Sequence, residues 1–124
     1  MAGLLQDKAI IITGGSTGIG RATALRAAQE GARLTIADVN VADGESVVAQ
    51  IKQAGGSAQL VKTDVTKTAD VQAMIAATVS AYGRLDGAFN NAGIEGHFTS
   101  ITKMTEEEYD RTVNVDLKGV WLCV

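Results

Sequence analysis

The sequence has 124 residues, with 11 lysines and arginines against 14 aspartates and glutamates. This mildly acidic balance, without a basic cluster, argues against nucleic acid as a partner. No apolar stretch reaches the ~18 residues that cross a bilayer, and the first residues lack a signal-peptide pattern, so we expect a cytoplasmic protein without a membrane partner. A chain of this length forms one domain, which we predict over residues 1–124.

The chain has one cysteine, Cys123, and one histidine, His97. A single cysteine allows neither an internal disulfide nor a cluster of thiolate ligands, and we interpret Cys123 as a small apolar residue on a helix. His97 lies in a loop beside Glu95 and Gly96, where a surface histidine is a simpler interpretation than a metal ligand. We therefore predict no metal site.

The first predicted element is an apolar strand that ends in a glycine-rich turn. Residues 10–13 are β-branched and follow Ala9, which predicts a strand buried on both faces. The following residues are GGSTGIG, and a helix that begins after such a turn directs N–H groups and the positive end of its dipole toward one spot. That spot suits a pyrophosphate, because glycines let the backbone approach the phosphates. A tight turn without a ligand is the alternative for this motif taken alone.

Helices and strands alternate through the rest of the chain. Asn40 and Thr66 are predicted to cap the second and third helices, and Thr105 with Glu108 forms a capping box for a last helix that continues to residue 124. The loop over residues 94–104 has few apolar anchors, and we expect it to be mobile. The earlier helices are predicted over residues 19–30, 41–54 and 67–82, and the later strands over 32–37, 57–62 and 85–89.

This alternation predicts the fold class. Strands separated by helices of this length form right-handed βαβ crossovers and a parallel sheet. We therefore predict an α/β fold of the Rossmann type, a doubly wound parallel sheet with four strands in the order 3-2-1-4 and helices on both faces.

Distinctive residues follow each predicted strand at the edge where parallel strands end. In such a sheet the ligand lies at the carboxyl ends of the strands. The glycine turn follows the first strand and Asp38 the second, while Asp64 with Val65 follows the third and NNAG, residues 90–93, follows the fourth. This coincidence favours a dinucleotide site over a turn without a ligand.

Asp38 also indicates which dinucleotide is bound. It lies twenty residues beyond Gly18, the offset at which a carboxylate accepts hydrogen bonds from ribose hydroxyls. A carboxylate there repels a 2′-phosphate, and none of Gly15, Ser16 and Val39 offers the positive charge that NADP requires. We therefore predict NAD as the cofactor. A helix or turn cap is the alternative interpretation of Asp38.

Four segments together resemble the short-chain dehydrogenase/reductase family. They are TGGSTGIG from residue 13, Asp64 with Val65, NNAG from residue 90, and Asn114 within VNVDLKGVW. The likeness covers essentially the whole chain. It implies an oxidoreductase that transfers a hydride between NAD and an alcohol or carbonyl substrate, in a homo-oligomer that assembles through the C-terminal helix.

The resemblance also implies roles for individual residues. Asn114 matches the helix asparagine that holds a water in the family's proton relay, and it is the one catalytic candidate. The alternative for NNAG is structural, with side-chain amides that tie neighbouring strands together. By resemblance, Gly14, Gly18, Ile19 and Gly20 line the pyrophosphate and nicotinamide end with Ser16 and Thr17 in the turn, Asp38 holds the adenosine ribose, Asp64 and Val65 contact the adenine, and Asn91, Ala92 and Gly93 lie beside the adenosine.

The family's catalytic tyrosine and lysine are not found in this sequence. Tyr82 and Tyr109 are followed four residues later by Asp86 and Val113, so neither forms a Tyr-x-x-x-Lys pair. We therefore expect the cofactor-binding half of an enzyme, apparently truncated within the helix that carries Asn114 and inactive alone. The apolar residues that end the chain predict a patch that another chain covers. The alternatives are a non-catalytic dinucleotide-binding or dimerisation module, and a fragment that keeps the fold but binds nothing.

Overall fold

A computed structural model describes residues 2–124. Its four strands form one parallel sheet in the predicted order, 3-2-1-4, which confirms the doubly wound α/β fold. The strands are β1 (Ala9–Thr13), β2 (Arg33–Asp38), β3 (Ser57–Lys62) and β4 (Gly87–Asn90). The helices are α1 (Gly18–Gln29), α2 (Val41–Gln53), α3 (Thr68–Tyr82), α4 (Glu106–Val113) and α5 (Gly119–Cys123), with a π-helical turn, called the π segment, at Asn114–Lys118.

Helices cover both faces of the sheet. Successive side chains of a strand point to opposite faces, and β1 shows this alternation. Ile12 packs with Ile36 of β2 in a cluster that includes residues of α1 and α2. Ile11 packs with Val71 and Met74 of α3 in a second cluster, against which residues of α5 also lie. Since β1 is buried from both sides, its uninterrupted apolar run is accounted for.

The cap of α3 differs from the prediction. Asn40 caps α2 as expected, but the prediction for Thr66 is wrong, because its N–H and its hydroxyl both donate to Oδ1 of Asp64, at 2.9 and 2.6 Å. The helix begins two residues later, after Lys67, whose side chain makes no capping bond. In the first turn of α3, Asp70 accepts the N–H of Asp64 at 2.9 Å. These bonds order the segment before α3, and the helix itself begins without a side-chain cap.

The last segment is not one continuous helix. The capping box is confirmed, since Glu108 N–H donates to Thr105 Oγ1 at 3.2 Å and Thr105 N–H donates to Glu108 Oε2 at 2.9 Å. After α4, however, the N–H of Gly119 donates to the carbonyl of Asn114, which makes one π-helical turn. Gly119 then lies so close to Val65 that a Cβ would come within 2.8 Å of Val65 Cγ2. The predicted helix is therefore divided into α4, the π segment and α5.

The strands β1 and β3 lie where they were predicted, while β2, which ends on Asp38, and β4 differ from the predicted bounds by one or two residues. The strand β4 begins at Gly87 and not at Leu85. Asp86 lies just before it, and its carboxylate accepts the N–H of Ala9 at 2.9 Å and is paired with Arg84. Over residues 2–124, no helix has the length and apolar character needed to cross a membrane.

A buried polar network links α3 to the sheet. Gln59 of β3 donates from Nε2 to Oγ1 of Thr35 in β2, at 2.9 Å. Oγ1 of Thr78 lies 2.8 Å from Oγ1 of Thr35 and 2.8 Å from the carbonyl of Met74. Both threonines are fully buried, so these hydroxyls depend on one another for hydrogen bonds.

We expect Thr78→Val to lower the free energy of unfolding by about 1–2 kcal/mol, because it leaves the Thr35 hydroxyl with one buried partner fewer. The matched control is Thr23→Val, which removes a similar bond, from Thr23 Oγ1 to the Ile19 carbonyl at 2.8 Å, outside the core. The control should change the free energy by less than about 0.5 kcal/mol. Urea denaturation of the purified protein measures both, and equal effects would contradict the role of the network.

Candidate functional site

A cavity of about 410 Å³ opens at the carboxyl ends of the strands. Its walls come from the glycine turn, from the residues that follow β2, β3 and β4, and from α4 and the π segment. Eight of the predicted cofactor residues therefore meet at one place: Gly14, Thr17, Asp38, Asp64, Val65, Asn91, Ala92 and Gly93. The other lining residues are Ala37, Val39, Thr63, Ile94, Arg111 and Val115.

The glycine turn is tightly packed, and two of its positions require glycine. Gly14 has a φ of 64°, a conformation that suits glycine. A Cβ on Gly20 would lie 2.1 Å from the Gly14 carbonyl oxygen and 2.6 Å from Asn91 Nδ2. The helix α1 starts beside this turn and has no acidic residue in its first turn. No acidic residue of α1 itself therefore offsets the positive end of its dipole at the cavity.

Asn91 ties the end of β4 to the glycine turn. Its Nδ2 donates to the carbonyls of Thr13 and Gly14, at 3.3 and 3.2 Å. The N–H groups of Asn91 and Ala92 both donate to Oγ1 of Thr13, at 3.0 and 3.1 Å. The NNAG segment therefore ties neighbouring strands together, as its structural interpretation predicts. Asn91 and Ala92 also line the cavity.

Asp38 makes hydrogen bonds to two neighbouring segments. Oδ2 accepts the N–H of Ser16 at 3.2 Å and the Ser16 hydroxyl as well. Oδ1 accepts the N–H of Asn40 at 3.0 Å, just before α2. Asp38 therefore does cap the turn. It also lines the cavity, where a ligand can reach its carboxylate. Ser16 is only 2% exposed and supports Asp38 from beneath the turn.

Asp64 is the second carboxylate of the cavity. The two bonds from Thr66 to Oδ1 hold the pKa of Asp64 below its ordinary value, despite an opposing effect of burial. Across residues 2–124, Oδ2 of Asp64 accepts no hydrogen bond. The cavity therefore contains an ionised carboxylate with one oxygen available to a ligand.

Five of the predicted site residues do not line the cavity: Ser16, Gly18, Ile19, Gly20 and Asn114. Ile19 lies in the first turn of α1 and is 73% exposed. Asn114 is exposed on the π segment, where its carbonyl closes the π-helical turn. Its catalytic role therefore stays a prediction.

Sequence reasoning missed Arg111 and Val115, which line the cavity from α4 and the π segment. Their spacing of four residues puts them on one face of a helix, and that periodicity was the available signal. It also missed Asp116, whose Oδ1 accepts the N–H of Ile94 at 2.8 Å. A Cβ on Gly93 would lie 3.3 Å from this oxygen, so Asp116 holds the loop after β4 against the π segment.

The contacts of Tyr82 support the fold and not a catalytic role. Its hydroxyl donates to the Leu34 carbonyl at 2.8 Å, and the Arg33 guanidinium lies 5.6 Å from the centre of its ring. Burial raises the pKa of the Tyr82 phenol, the opposite of what a catalytic base near neutral pH requires. Burial also raises the pKa of the Cys123 thiol, which fits an unreactive helix residue. Among residues 2–124, no three His, Cys, Asp or Glu side chains are grouped to hold a metal ion.

The family model for the short chain dehydrogenases matches residues 8–124. This chain belongs to the short-chain dehydrogenases. The family expected from the sequence motifs is therefore confirmed. Among the relatives of this chain, the levodione reductase of Leifsonia aquatica is 42% identical over 118 residues, which cover 94% of this chain and 44% of that protein. The 2,5-dichloro-2,5-cyclohexadiene-1,4-diol dehydrogenase of Sphingobium indicum is 39% identical over 120 residues, which cover 97% of this chain and 47% of that protein.

Solved structures show the same relationship. The crystal structure of levodione reductase is 40% identical, with a TM-score of 0.92 over 96% of this chain and 47% of that one. A 3-ketoacyl-(acyl-carrier-protein) reductase from Brucella melitensis, crystallised with NADH, is 39% identical, with a TM-score of 0.89 over 96% and 48%. The chain thus spans about half the length of the curated relatives it matches.

We expect Gly20→Ala to destabilise the protein by about 1–3 kcal/mol, because the new Cβ overlaps the Gly14 carbonyl. Helix propensity alone would favour alanine by about 1 kcal/mol, so the overlap decides the sign. The control is Gly87→Ala, where a Cβ meets no atom within 4 Å. Urea denaturation tests both variants. A Gly20→Ala protein as stable as the wild type would show that the turn can relax.

We expect Asp116→Ala to speed hydrogen exchange at the Ile94 amide about fivefold, because that amide loses its acceptor. Asp116→Asn keeps an oxygen acceptor and should retain most of the protection. Asp110→Ala, on the exposed side of α4, is the control and should leave the exchange unchanged. Exchange monitored by NMR checks this, and equal rates in all four proteins would contradict the contact.

Proposed function

We propose that this chain binds NAD and forms the cofactor-binding half-domain, residues 1–124, of an oxidoreductase. The reaction is hydride transfer between NAD and an alcohol or carbonyl substrate, in the cytoplasm. The observation that carries the proposal is the single cavity that joins the glycine turn, the start of α1 and two carboxylates at the carboxyl edge of the sheet. Membership of the short-chain dehydrogenases supports it, as does a structural neighbour that was crystallised with NADH.

The residues present fit a dinucleotide. The cavity is large enough for the adenosine and pyrophosphate portions, and it lies at the N-terminus of α1, which suits phosphates. A Cβ on Gly18 would meet nothing within 4 Å, so the backbone there is open to a ligand. We assign the pyrophosphate and nicotinamide end to Gly14, Gly18, Ile19 and Gly20, with Ser16 and Thr17 in the turn, the adenosine ribose to Asp38, the adenine to Asp64 and Val65, and the surroundings of the adenosine to Asn91, Ala92 and Gly93.

Each part of this chain has a defined task in the proposed reaction. Bound NAD supplies the carbon that accepts or gives the hydride. Asp38 orients the ribose through its free lone pairs while its other bonds hold the turn rigid, and the free oxygen of Asp64 accepts an N–H of the adenine. Asn114 is proposed to hold a water for proton transfer.

We also propose that the protein is a homo-oligomer that assembles through its C-terminal helix. Leu117 and Trp121 lie one helical turn apart and are 68% and 71% exposed. Such an apolar pair supports an interface on this face of the helix.

Calorimetric titration of the purified protein with NAD tests the proposed function. We expect residues 1–124 to bind NAD and, alone, to transfer no hydride with a panel of alcohols and carbonyl compounds. Turnover by this chain alone would contradict the expectation that it is inactive by itself. An intact mass near 12.8 kDa for the protein isolated from its cells would favour the alternative, a non-catalytic dinucleotide-binding or dimerisation module. Failure to bind NAD would overturn the assignment of the cavity.

We further expect the wild type to bind NAD at least about tenfold more tightly than NADP, because the Asp38 carboxylate repels a 2′-phosphate. Asp38→Asn removes the charge but keeps a similar shape, and should reduce this preference. Asp43→Asn is the matched control, since it removes a carboxylate charge from the first turn of α2, outside the cavity, and should leave the ratio unchanged. The ratio of the two dissociation constants is measured for each variant. An unchanged ratio in Asp38→Asn would contradict the ribose assignment.

A further inference from the structure

The charge of the cavity wall is unfavourable for the ligand proposed above. Two carboxylates line the cavity, those of Asp38 and Asp64. A dinucleotide brings two negatively charged phosphates into the same space. The N-terminus of α1 contributes only about half an elementary charge. Without a further positive group, two carboxylates would weaken the binding of such an anion.

Arg111 is the one cationic side chain among the described residues that line the cavity. Glu107 precedes it by one helical turn, the spacing of a common ion pair. The ion pairs described over residues 2–124 are Arg26–Glu30 and Arg84–Asp86, so Arg111 has no carboxylate within ion-pair distance there. Its guanidinium therefore makes no ion pair with the helix that carries it.

Two consecutive helical turns line the cavity, one in α4 and one in the π segment. Val115 lines the same cavity one turn later, so the apolar side chain and the charged one share a face. Arg111 also borders a smaller cavity of about 160 Å³ that contains His97, Glu107 and Glu108. The arginine is thus the wall between an acidic surface and the proposed cofactor site.

We propose that Arg111 is a cofactor-binding residue that pairs with the phosphates of the dinucleotide. A guanidinium presents several N–H groups in one plane, which matches two phosphate oxygens at once. The guanidinium offsets the negative charges of Asp38 and Asp64. Those carboxylates can then bind the ribose and the adenine without repelling the phosphates of the dinucleotide. This inference rests on the proposed function, since it requires that the cavity bind a dinucleotide.

The test compares ligands that differ in their phosphates. Arg111→Ala should weaken the binding of NAD and ADP-ribose about tenfold, and leave adenosine within about twofold. The loss should shrink at high salt, because the guanidinium is exposed. Arg111→Lys keeps the charge and should recover part of the affinity. Lys118→Ala removes an exposed cation from the π segment outside the cavity, and should bind all three ligands as the wild type does.

The outcomes separate this inference from the proposed function. Failure of the wild type to bind NAD would overturn both. Wild-type binding of NAD with an undiminished affinity in Arg111→Ala would overturn the role of Arg111 alone. An equal loss for adenosine and ADP-ribose would also overturn it, because the arginine would then shape the cavity without pairing with phosphate. Thermal unfolding of each variant confirms that the compared proteins are folded.

Discussion

The close approach of the glycine turn to the end of β4 is the constraint on which the rest of the site depends. Gly14, Gly20 and Asn91 pack so closely that a Cβ on either glycine would overlap neighbouring atoms. One amide group, Asn91 Nδ2, bridges two carbonyls of the turn and thereby joins β4 to β1. The start of α1, and with it the direction of its dipole, follows from this contact.

The same polar groups both build the site and remain available to a ligand. Asp38 holds Ser16 and Asn40 in place, so the carboxylate is oriented before any ligand arrives. Asp64 is held by Thr66 through one oxygen and leaves the other unpaired. Groups that are already oriented lose little conformational entropy on binding. The turn-capping and ligand-binding interpretations of these residues are therefore compatible.

The sequence predicted the strand order and most of the cavity wall, because both follow from local patterns and from the topology of parallel sheets. The β-branched run of β1 and the residues after each strand needed no knowledge of distant contacts. The cap of α3 was not predictable in this way, because the Thr66 hydroxyl donates to Asp64 instead of capping the helix, and Asp70 accepts the N–H of Asp64. The π segment depends on the packing of Gly119 against Val65, which lie far apart in the sequence.

The wall formed by α4 shows how these long-range contacts bear on the site. No residue of α4 is buried, so the helix is not held by a core of its own. The next residues along the chain position it, because Asp116 bonds to Ile94 and Gly119 packs on Val65. Both Ile94 and Val65 line the cavity. A ligand that orders the loops after β3 and β4 therefore also orders the π segment, and through it the helical face that carries Arg111 and Val115.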